Sequence, residues 1–467
     1  MTVRVGGKAA AVAGIAAFSL VLAACGSDDD GGDASATGDA AGGDASAAAS
    51  YEIDCAAYEG FGDLSGTTVT TYSSVLGTEA EAYEESFVPF EECTGIDVQP
   101  EWSSEFEAQV IVRVQGGNAP DLALYPQPGG IFSIQDQTGA VLPVPDEALT
   151  VLEENFDPYW AELVTQDGDV LGLPNSSNSK SFVWYSPSAF ADGGYEIPET
   201  WEDMIALSDQ IVADNPDGAV KPWCAGIGSG EATGWPVTDW VEDVMLREQG
   251  PDYYDQWVDH SVPFNAPESL EVWDTVGSIL RNPDYVNGGY GDVTTIASTT
   301  FQDGGLPILD GSCYMYRMAS FYAANWPEGT TIGEDGDVYA FYLPANEGAD
   351  VKPVLVGSEY WTSFDERPEI TAFLAYLASP DYANARALAG QGFVNANLNL
   401  DLNNVESPIS KLAGEQFQDP EAVIRFDGAD LMPAEVGSGS FWSEATAWIA
   451  EGKDTQEVLD AIESTWP

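Results

Sequence analysis

The sequence predicts an α/β protein with two lobes. The chain has 467 residues, more than a single compact core usually serves. Hydrophobic residues make up 44% of the chain, with 14 Trp, 20 Tyr and 19 Phe, so it has enough apolar side chains to form hydrophobic cores. Strand and helix patterns alternate over residues 66–130, which is typical of a parallel sheet covered by helices.

The alternation starts with GTTVTTYSSV (66–75), where β-branched residues predict a first strand. TEAEAYEESFVPFEECTG (78–95) predicts a helix closed by its final glycine. IDVQPEWS (96–103) predicts a second strand, and EFEAQVIVRVQGGNAPD (105–121) a helix with Phe106, Val110 and Val114 on one stripe. LALYPQPGG (122–130) predicts a third strand that runs into a Pro/Gly loop.

The later segments continue the mixed pattern. DVLGLPNSSNSKSFVWYSPSAF (169–190) predicts a strand, a polar break and another strand. PETWEDMIALSDQIVAD (198–214) predicts a helix with Thr200 as its N-cap. The last hundred residues are mostly helical in pattern, as in PEITAFLAYLAS, EATAWIAEG and DTQEVLDAIEST.

The charge balance excludes several classes of partner. The chain carries 14 basic and 78 acidic residues, a formal net charge of -64. Nucleic acid is therefore not expected, and anionic substrates would be repelled, whereas a neutral ligand meets no such barrier. His260 is the single histidine, so we expect no metal site, no cofactor and no histidine-based triad.

The first fifty residues predict export and a lipid anchor. Residues 1–24 combine a basic start, the apolar run AAAVAGIAAFSLV and small residues, which is typical of a signal peptide. The ending LAAC resembles a bacterial lipobox, so we expect Cys25 to be lipidated and the protein to sit on the outer face of the cell membrane. Residues 26–50 contain only Gly, Ser, Asp, Ala and Thr and predict a disordered tether.

Four cysteines remain after the lipobox. An even number in an exported chain suggests two disulfides, for which three pairings are possible. We favour Cys55–Cys93 and Cys224–Cys313, because each would connect one region of the sequence to itself. Free thiols are the alternative.

Four stretches resemble one family. They are GGNAPDLALYPQPGG, PNSSNSKSFVWYSP, PWCAGIGSGEATGWPVTDWVED and RFDGADLMPAEVGSGSFW. In this order they are similar to extracellular solute-binding proteins of carbohydrate ABC importers, the maltose-binding-protein class, and most of all its α-glucoside-binding branch. The resemblance implies a two-lobed periplasmic-binding-protein type II fold with an interlobe cleft and three hinge crossings. It places residues 51–177 and 357–402 in the N-terminal lobe, and 178–356 and 403–467 in the C-terminal lobe.

The resemblance also implies a function without catalysis. Such a protein captures a neutral mono- or oligosaccharide in its cleft and delivers it to ABC permease subunits in the membrane; we expect a monomer. Two alternatives stay open from the residues alone. One is a binder of another solute, such as a polyol, a peptide or Ca²⁺, and the other is a secreted glycoside hydrolase.

The segment GEATGWPVTDW (230–240) supplies the strongest candidate contacts. Its proline suits a first helical turn, after which Trp240 falls on the buried stripe. Trp235 precedes that stripe and is predicted to be an aromatic platform for a sugar ring. Glu231, on the same turn, is predicted to accept hydroxyl hydrogen bonds, as a glutamate does in the maltose-binding class.

Other contacts are implied more loosely by the resemblance. Ligand positions include Tyr125 and Gln127 after the third strand, where ligands bind in open α/β lobes, and Glu79 at the start of the first helix. Asn178 and Lys180 lie at the first lobe crossing. The remaining candidates are Tyr316 and Arg317, Trp442 near the final helices, and Tyr360 and Trp361 in SEYWTSF, where the chain departs from the family pattern.

Overall fold

The computed structural model describes residues 51–287 and 293–467. The predicted signal peptide, the lipidation site at Cys25 and the tether lie outside these residues. Within the described ranges, no helix is long and apolar enough to cross a membrane.

The strands fall into two main sheets and one small hairpin. In chain order they are β1 (Thr68–Ser73), β2 (Asp97–Trp102), β3 (Leu122–Tyr125), β4 (Thr165–Gln166), β5 (Asp169–Val170), β6 (Leu173–Ser179), β7 (Phe182–Tyr185), β8 (Lys221–Cys224), β9 (Val286–Asn287), β10 (Cys313–Arg317), β11 (Tyr339–Tyr342), β12 (Lys352–Ser363) and β13 (Ala422–Phe426).

Helices cover the faces of both main sheets. They are α1 (Thr78–Thr94), α2 (Phe106–Gln115), α3 (Pro128–Thr138), α4 (Asp146–Asn155), α5 (Tyr159–Glu162), α6 (Pro187–Gly193), α7 (Trp201–Asp214), α8 (Trp235–Glu248), α9 (Pro251–Val258), α10 (Pro267–Leu280), α11 (Phe301–Gly304), α12 (Pro368–Leu377), α13 (Pro380–Leu388), α14 (Pro408–Phe417), α15 (Gly428–Leu431), α16 (Trp442–Ala450) and α17 (Thr455–Glu463). A short 3-10 helix spans Ser320–Asn325, and a π-helix spans Glu435–Phe441.

The first sheet has the strand order β13-β12-β3-β1-β2, with β6 also paired to β12. Strand β1 lies parallel between β2 and β3, which confirms the β-α-β-α-β order predicted for the first lobe. The αL glycine predicted to close the first helix is present at Gly95, with φ 72°. Strand β12 runs antiparallel to both β3 and β6.

The second sheet has the order β11-β7-β10-β8-β9. Strands β8, β9 and β10 pair in parallel, whereas β7 pairs antiparallel with β10 and β11. Helix α7 begins after Thr200, whose side chain accepts from the backbone N–H of Asp203, as predicted for an N-cap. The mixed α/β architecture with two sheet-based lobes agrees with the predicted type II fold.

The chain passes between the sheets at three places. It leaves β6 at Ser179 and enters β7 at Phe182, returns from β11 into β12, and leaves β13 at Phe426 for α15. Helix α16 then packs against α8, and α17 packs against α10. The lobe boundaries at 177/178, 356/357 and 402/403 stay predictions, and β13 (Ala422–Phe426), which lies beyond the last of them, pairs with β12 in the first sheet.

The strand, polar break and second strand predicted within residues 169–190 are present as β6, the residues Lys180 and Ser181, and β7. Strand β6 pairs with β12, with a shift of register between Ser358 and Tyr360. Two buried serines of β6 have side-chain partners: Ser177 Oγ lies 3.0 Å from Ser358 Oγ, and Ser179 Oγ donates to Gln416 at 2.5 Å. A polar strand is stable in a core when its hydrogen bonds are satisfied.

Both favoured disulfides are present. Cys55 is bonded to Cys93, which ties a 3-10 helix at Cys55–Phe61 to the end of α1. Cys224 is bonded to Cys313 and connects the neighbouring parallel strands β8 and β10. Each bridge stays inside one region of the sequence, as predicted.

Candidate functional site

A cavity of about 500 Å³ lies where segments from the two lobes face each other. We call it the cleft cavity. The first lobe contributes the start of α1 and parts of β6 and β12, and the second contributes the 3-10 helix that follows β10. Its lining residues are Glu79, Ser176, Ser177, Asn178, Ser320, Phe321, Ala323, Ala324, Glu359, Gln391, Gly392, Val394, Ser407 and Ser410.

Two sequence-predicted residues line this cavity directly. Glu79 sits in the first turn of α1, where burial raises the pKa of its carboxyl and the Arg386 charge opposes that rise. Asn178 lies on β6, and its buried Oδ1 has no hydrogen-bond partner among the described residues. An unsatisfied buried acceptor costs free energy, so this oxygen suits a donor supplied by a ligand.

Glu359 is a cavity residue that the sequence reasoning missed. It lies on β12 and accepts hydrogen bonds on Oε2 from Tyr83 Oη and Asn175 Nδ2, each at 3.1 Å. Burial first, and then the Glu79 charge, raise the pKa of Glu359 to about 7. The carboxyl therefore changes charge near neutral pH.

Tyr360 and Trp361, the predicted ligand contacts that follow Glu359 on β12, do not line the cavity. Both side chains are 0% exposed in the first-lobe core. Tyr360 Oη donates to the Trp160 carbonyl at 3.4 Å, and Trp361 Nε1 donates to Asn175 Oδ1 at 3.2 Å. In the segment SEYWTSF it is therefore Glu359 that faces the cavity, whereas the two aromatic residues after it face the core.

Phe321 lines the cavity on its second-lobe side, and Trp235, which does not itself line the cavity, packs against Phe321. Trp235, at the start of α8, is half-buried and packs edge-to-face on Phe301 at 5.0 Å between ring centroids. Its ring also lies 5.9 Å from Phe321, which lines the cavity and is 39% exposed. Phe321 was not singled out from sequence, because an exposed phenylalanine has no pattern that distinguishes it from a core one. As predicted, Trp240 is core, 5% exposed and edge-to-face with Trp223.

A glycine fixes the position of the Trp235 turn. Gly234 has φ +116°, and a Cβ there would lie 2.2 Å from the carbonyl oxygen of Trp442. Only glycine adopts this conformation and tolerates this approach. Trp442 is therefore placed beside the Trp235 turn through its backbone, and its buried indole N–H has no partner among the described residues.

Lys180 lies in a buried network of charged groups beneath Trp235. Its ammonium donates to Asp427 and, at 3.1 Å, to Asp239, and it lies 5.8 Å from the Trp235 ring centroid. Burial alone would lower the pKa of Lys180, but the surrounding carboxylates outweigh it and raise the pKa well above its usual value. The ammonium is thus charged and paired with two buried aspartates.

Arg317 extends the same network. Its guanidinium is 2% exposed and donates to Asp243 at 2.5 Å and to Asp239 at 3.1 Å. Arg247 also donates to Asp243, at 2.7 Å, and these two cations hold the pKa of that aspartate below its usual value against the effect of burial. The structure thus places Arg317 inside the protein, as a partner of α8.

The other predicted contacts divide by exposure. Tyr316 is 2% exposed and donates to the Phe301 carbonyl at 2.8 Å. It therefore helps to hold in place the phenylalanine that packs on Trp235. Tyr125, 4% exposed, and Gln127 line a separate small cavity of about 240 Å³ at the end of β3. Glu231 is exposed on a short 3-10 helix, Gly230–Ala232.

Gln127 makes a contact between helix termini. With its amide nitrogen turned toward Asp430, the distances to Oδ1 and Oδ2 are 2.7 and 3.3 Å. Burial and the nearby Asp427 charge raise the pKa of Asp430 to about 8. This pair joins the start of α3 to α15, and it lies outside the cleft cavity.

A family model described as bacterial extracellular solute-binding protein matches residues 74–384, most of the chain. The chain belongs to this family. Two curated relatives extend the match to nearly the whole length of this solute-binding protein. The osmoprotective compounds-binding protein GgtB of Synechocystis sp. is 38% identical over 410 residues, which are 87% of this chain and 94% of the relative. The alpha-glucosides-binding periplasmic protein AglE of Rhizobium meliloti is 34% identical over 415 residues, 86% of this chain and 88% of the relative.

Solved structures agree on the fold of this solute-binding protein. The bacterial solute receptor AcbH superposes with a TM-score of 0.67 at 19% identity, covering 86% of this chain and 97% of that one. The apo form of RafE from Streptococcus pneumoniae gives a TM-score of 0.68 at 17% identity, covering 86% and 98%. At these identities the likeness supports the two-lobed architecture alone.

Proposed function

We propose that this protein captures a neutral sugar, an α-glucoside in the first instance, and delivers it to the permease of an ABC importer. The cleft cavity carries the proposal, because it combines an aromatic surface at Phe321 with hydrogen-bonding groups between two lobes. A sugar presents an apolar ring face rimmed by hydroxyls, and both parts need partners when they are buried. The two curated relatives bind α-glucosides and osmoprotective compounds according to their names, which favours a small sugar.

Charge supports a neutral ligand over an anionic one. The chain has a formal net charge of -64, and Glu79 and Glu359 both face the cavity. An anionic solute would be repelled by both the surface and the site. Lys180 and Arg317 do not offset this repulsion, because their charges are taken up by buried aspartates.

We further propose that the protein acts without catalysis, as a monomer outside the cytoplasm, tethered through lipid on Cys25. The membership in an extracellular solute-binding family supports the compartment. The lobes close on the sugar by hinge bending at the three crossings, as two-lobed binding proteins do. The closed form is then the state that the permease recognises.

The test is thermal melting of residues 51–467 against maltose, trehalose, sucrose, isomaltose, glucose, a cyclodextrin and a polyol. A ligand that binds only the folded state adds about 2.7 kcal/mol at a hundredfold excess over its Kd. We expect an α-glucoside to raise the Tm of the wild type, and Phe321→Ala and Trp235→Ala to reduce that rise.

Trp466→Ala is the matched control, because Trp466 is a partly exposed tryptophan stacked on His260 at 4.1 Å and does not line the cavity. It should leave the sugar response unchanged. A Tm that no sugar shifts would contradict the proposed function. A shift that survives both Phe321→Ala and Trp235→Ala would keep the function and refute the aromatic platform.

A further inference from the structure

We infer that Glu359 anchors the sugar in the cleft cavity by accepting a ligand hydroxyl on its free oxygen, and that it makes capture depend on pH. This inference rests on the proposed function and deepens it. Glu359 lines the cavity, and the described protein donors both bind the same oxygen, Oε2. Oε1 is left for a group inside the cavity, and an ionised carboxylate has acceptor capacity for it.

A buried cluster holds Glu359 in one orientation. Asn175 is 0% exposed, and its Oδ1 accepts from Trp361 Nε1 at 3.2 Å and from Tyr382 Oη at 2.7 Å. These two donors fix the amide so that Nδ2 faces Tyr83 Oη and Glu359 Oε2. Asn175 is thus a positioning residue, and the site is built before the ligand arrives.

The charged and titratable groups that face Glu359 come from two helices. Helix α1 contributes Glu79 and Tyr83, and α13 contributes Tyr382 and Arg386. Arg386 is 1% exposed, lies over the Tyr83 ring at 4.3 Å, and donates to the Gly390 carbonyl at 2.9 Å, so it is held by the protein. Its charge lowers the pKa of Glu359, but burial and Glu79 dominate and bring it to about 7.

The pH dependence follows from the strength of the hydroxyl bond. A hydrogen bond to an ionised acceptor is roughly twice as strong as one to a neutral acceptor. Because Glu359 ionises near pH 7, sugar affinity should rise as the pH rises through that value. Neutral sugars do not titrate in this range, so the dependence belongs to the protein.

The test is calorimetric titration of the wild type with the sugar that shifts its Tm, at intervals from pH 5.5 to 8.5. We expect Kd to fall by several-fold with a midpoint near pH 7. Glu359→Gln should weaken binding at pH 8 by about ten- to a hundredfold, as expected for a lost bond to a charged group, and remove the pH dependence.

Glu91→Gln is the matched control. The pKa of Glu91 is also raised by burial, but this carboxylate accepts from the Val98 backbone and does not line the cavity. It should leave both Kd and its pH profile unchanged. Trp361→Phe tests the positioning cluster: it removes one donor to Asn175, and should weaken binding at pH 8 and move the midpoint upward.

The outcomes separate the two proposals. A wild type that binds sugar while Glu359→Gln keeps the same Kd and the same pH profile would overturn the inference and leave the proposed function standing. A wild type that binds no sugar at any pH would overturn the proposed function and the inference with it. Melting of each variant without sugar confirms that it is folded.

Discussion

A single step along β12 separates a cavity residue from a core residue. Glu359 faces the cleft cavity, whereas Tyr360 and Trp361 are 0% exposed. A strand normally alternates its faces, but the pairing of β12 with β6 shifts register between Ser358 and Tyr360, at this point in the strand. The irregularity lets two successive aromatics be fully buried beside a carboxylate that is only partly buried and faces the cavity.

Glu359 should limit stability at the pH where it supports binding. Its pKa is raised from 4.5 to about 7, so between these values the folded state holds a proton that the unfolded state has lost. The free energy of unfolding therefore falls as the pH rises through that window. Glu359→Gln should be more stable than the wild type at pH 8 by about 1–3 kcal/mol, and close to it at pH 4.5. Urea unfolding at both pH values measures this.

Glu421→Gln provides the comparison, since this carboxylate is exposed and pairs with Lys352 at the surface. It should change stability by less than about 1 kcal/mol at either pH. A Glu359→Gln protein that is less stable than the wild type at pH 8 would refute the destabilising effect assigned to the ionised carboxylate of Glu359.

Gly234 should be sensitive to the smallest substitution. Gly234→Ala would place a Cβ 2.2 Å from the Trp442 carbonyl oxygen at φ +116°, so the Trp235 turn must shift. We expect the free energy of unfolding to fall by about 1–3 kcal/mol, which lowers the Tm, and we expect sugar binding to weaken. Gly311→Ala has a comparable positive φ of +74° but nothing within 4 Å of its Cβ, so it isolates the backbone cost. Equal losses in both variants would refute the role of the Trp442 contact.

At the scale of elements, the second disulfide joins two neighbouring parallel strands of the second sheet. Cys224 ends β8, and Cys313 begins β10, which leads into Tyr316 and Arg317. Its removal frees an 89-residue loop in the unfolded chain, against 38 for Cys55–Cys93. The Cys224→Ala/Cys313→Ala variant should lose about 2–5 kcal/mol, measured by urea unfolding.

The paired control is Cys55→Ala/Cys93→Ala, which removes the bridge at the edge of the first lobe. It should also be destabilised, but it should retain sugar affinity, because neither cysteine lines the cleft cavity. If the Cys224→Ala/Cys313→Ala variant kept wild-type stability, the bridge would not constrain the second sheet as described.

Element patterns were readable from sequence where side-chain periodicity decides them. The first three strands, their helices and the caps at Thr200 and Gly95 follow from alternation, apolar stripes and capping chemistry. The burial of the serines of β6 was not readable, because their partners on β12 and α14 are distant in sequence. The same reason hides Glu359, since its partners come from α1 and β6.

At the scale of the whole molecule, the buried charge network ties the crossings together. Lys180 follows β6, Asp427 follows β13, and Asp239 belongs to α8. The cations Lys180, Arg247 and Arg317 pair with the carboxylates Asp239, Asp243 and Asp427. Glu242 and Asp430 lie close to the same group. Burial and the neighbouring aspartates raise the pKa of Glu242 well above its usual value, which favours its neutral form and balances the charge.

Lys180→Met should therefore be strongly destabilising. It removes one cation from a buried group of carboxylates, and breaking a buried pair costs about 3–5 kcal/mol. Lys352→Met is the matched control, because Lys352 is 47% exposed and pairs with Asp419 and Glu421 at the surface. It should cost about 0–1 kcal/mol. Comparable losses in the two variants, measured by urea unfolding, would contradict the importance of the network.

The most direct test of the central claim is calorimetric titration of the folded protein with α-glucosides at pH 8. The account predicts saturable binding of one sugar per chain, reduced by Phe321→Ala and by Glu359→Gln but not by Trp466→Ala. An absence of binding to every α-glucoside and other neutral sugar tested, by a protein that melts cooperatively, would contradict it.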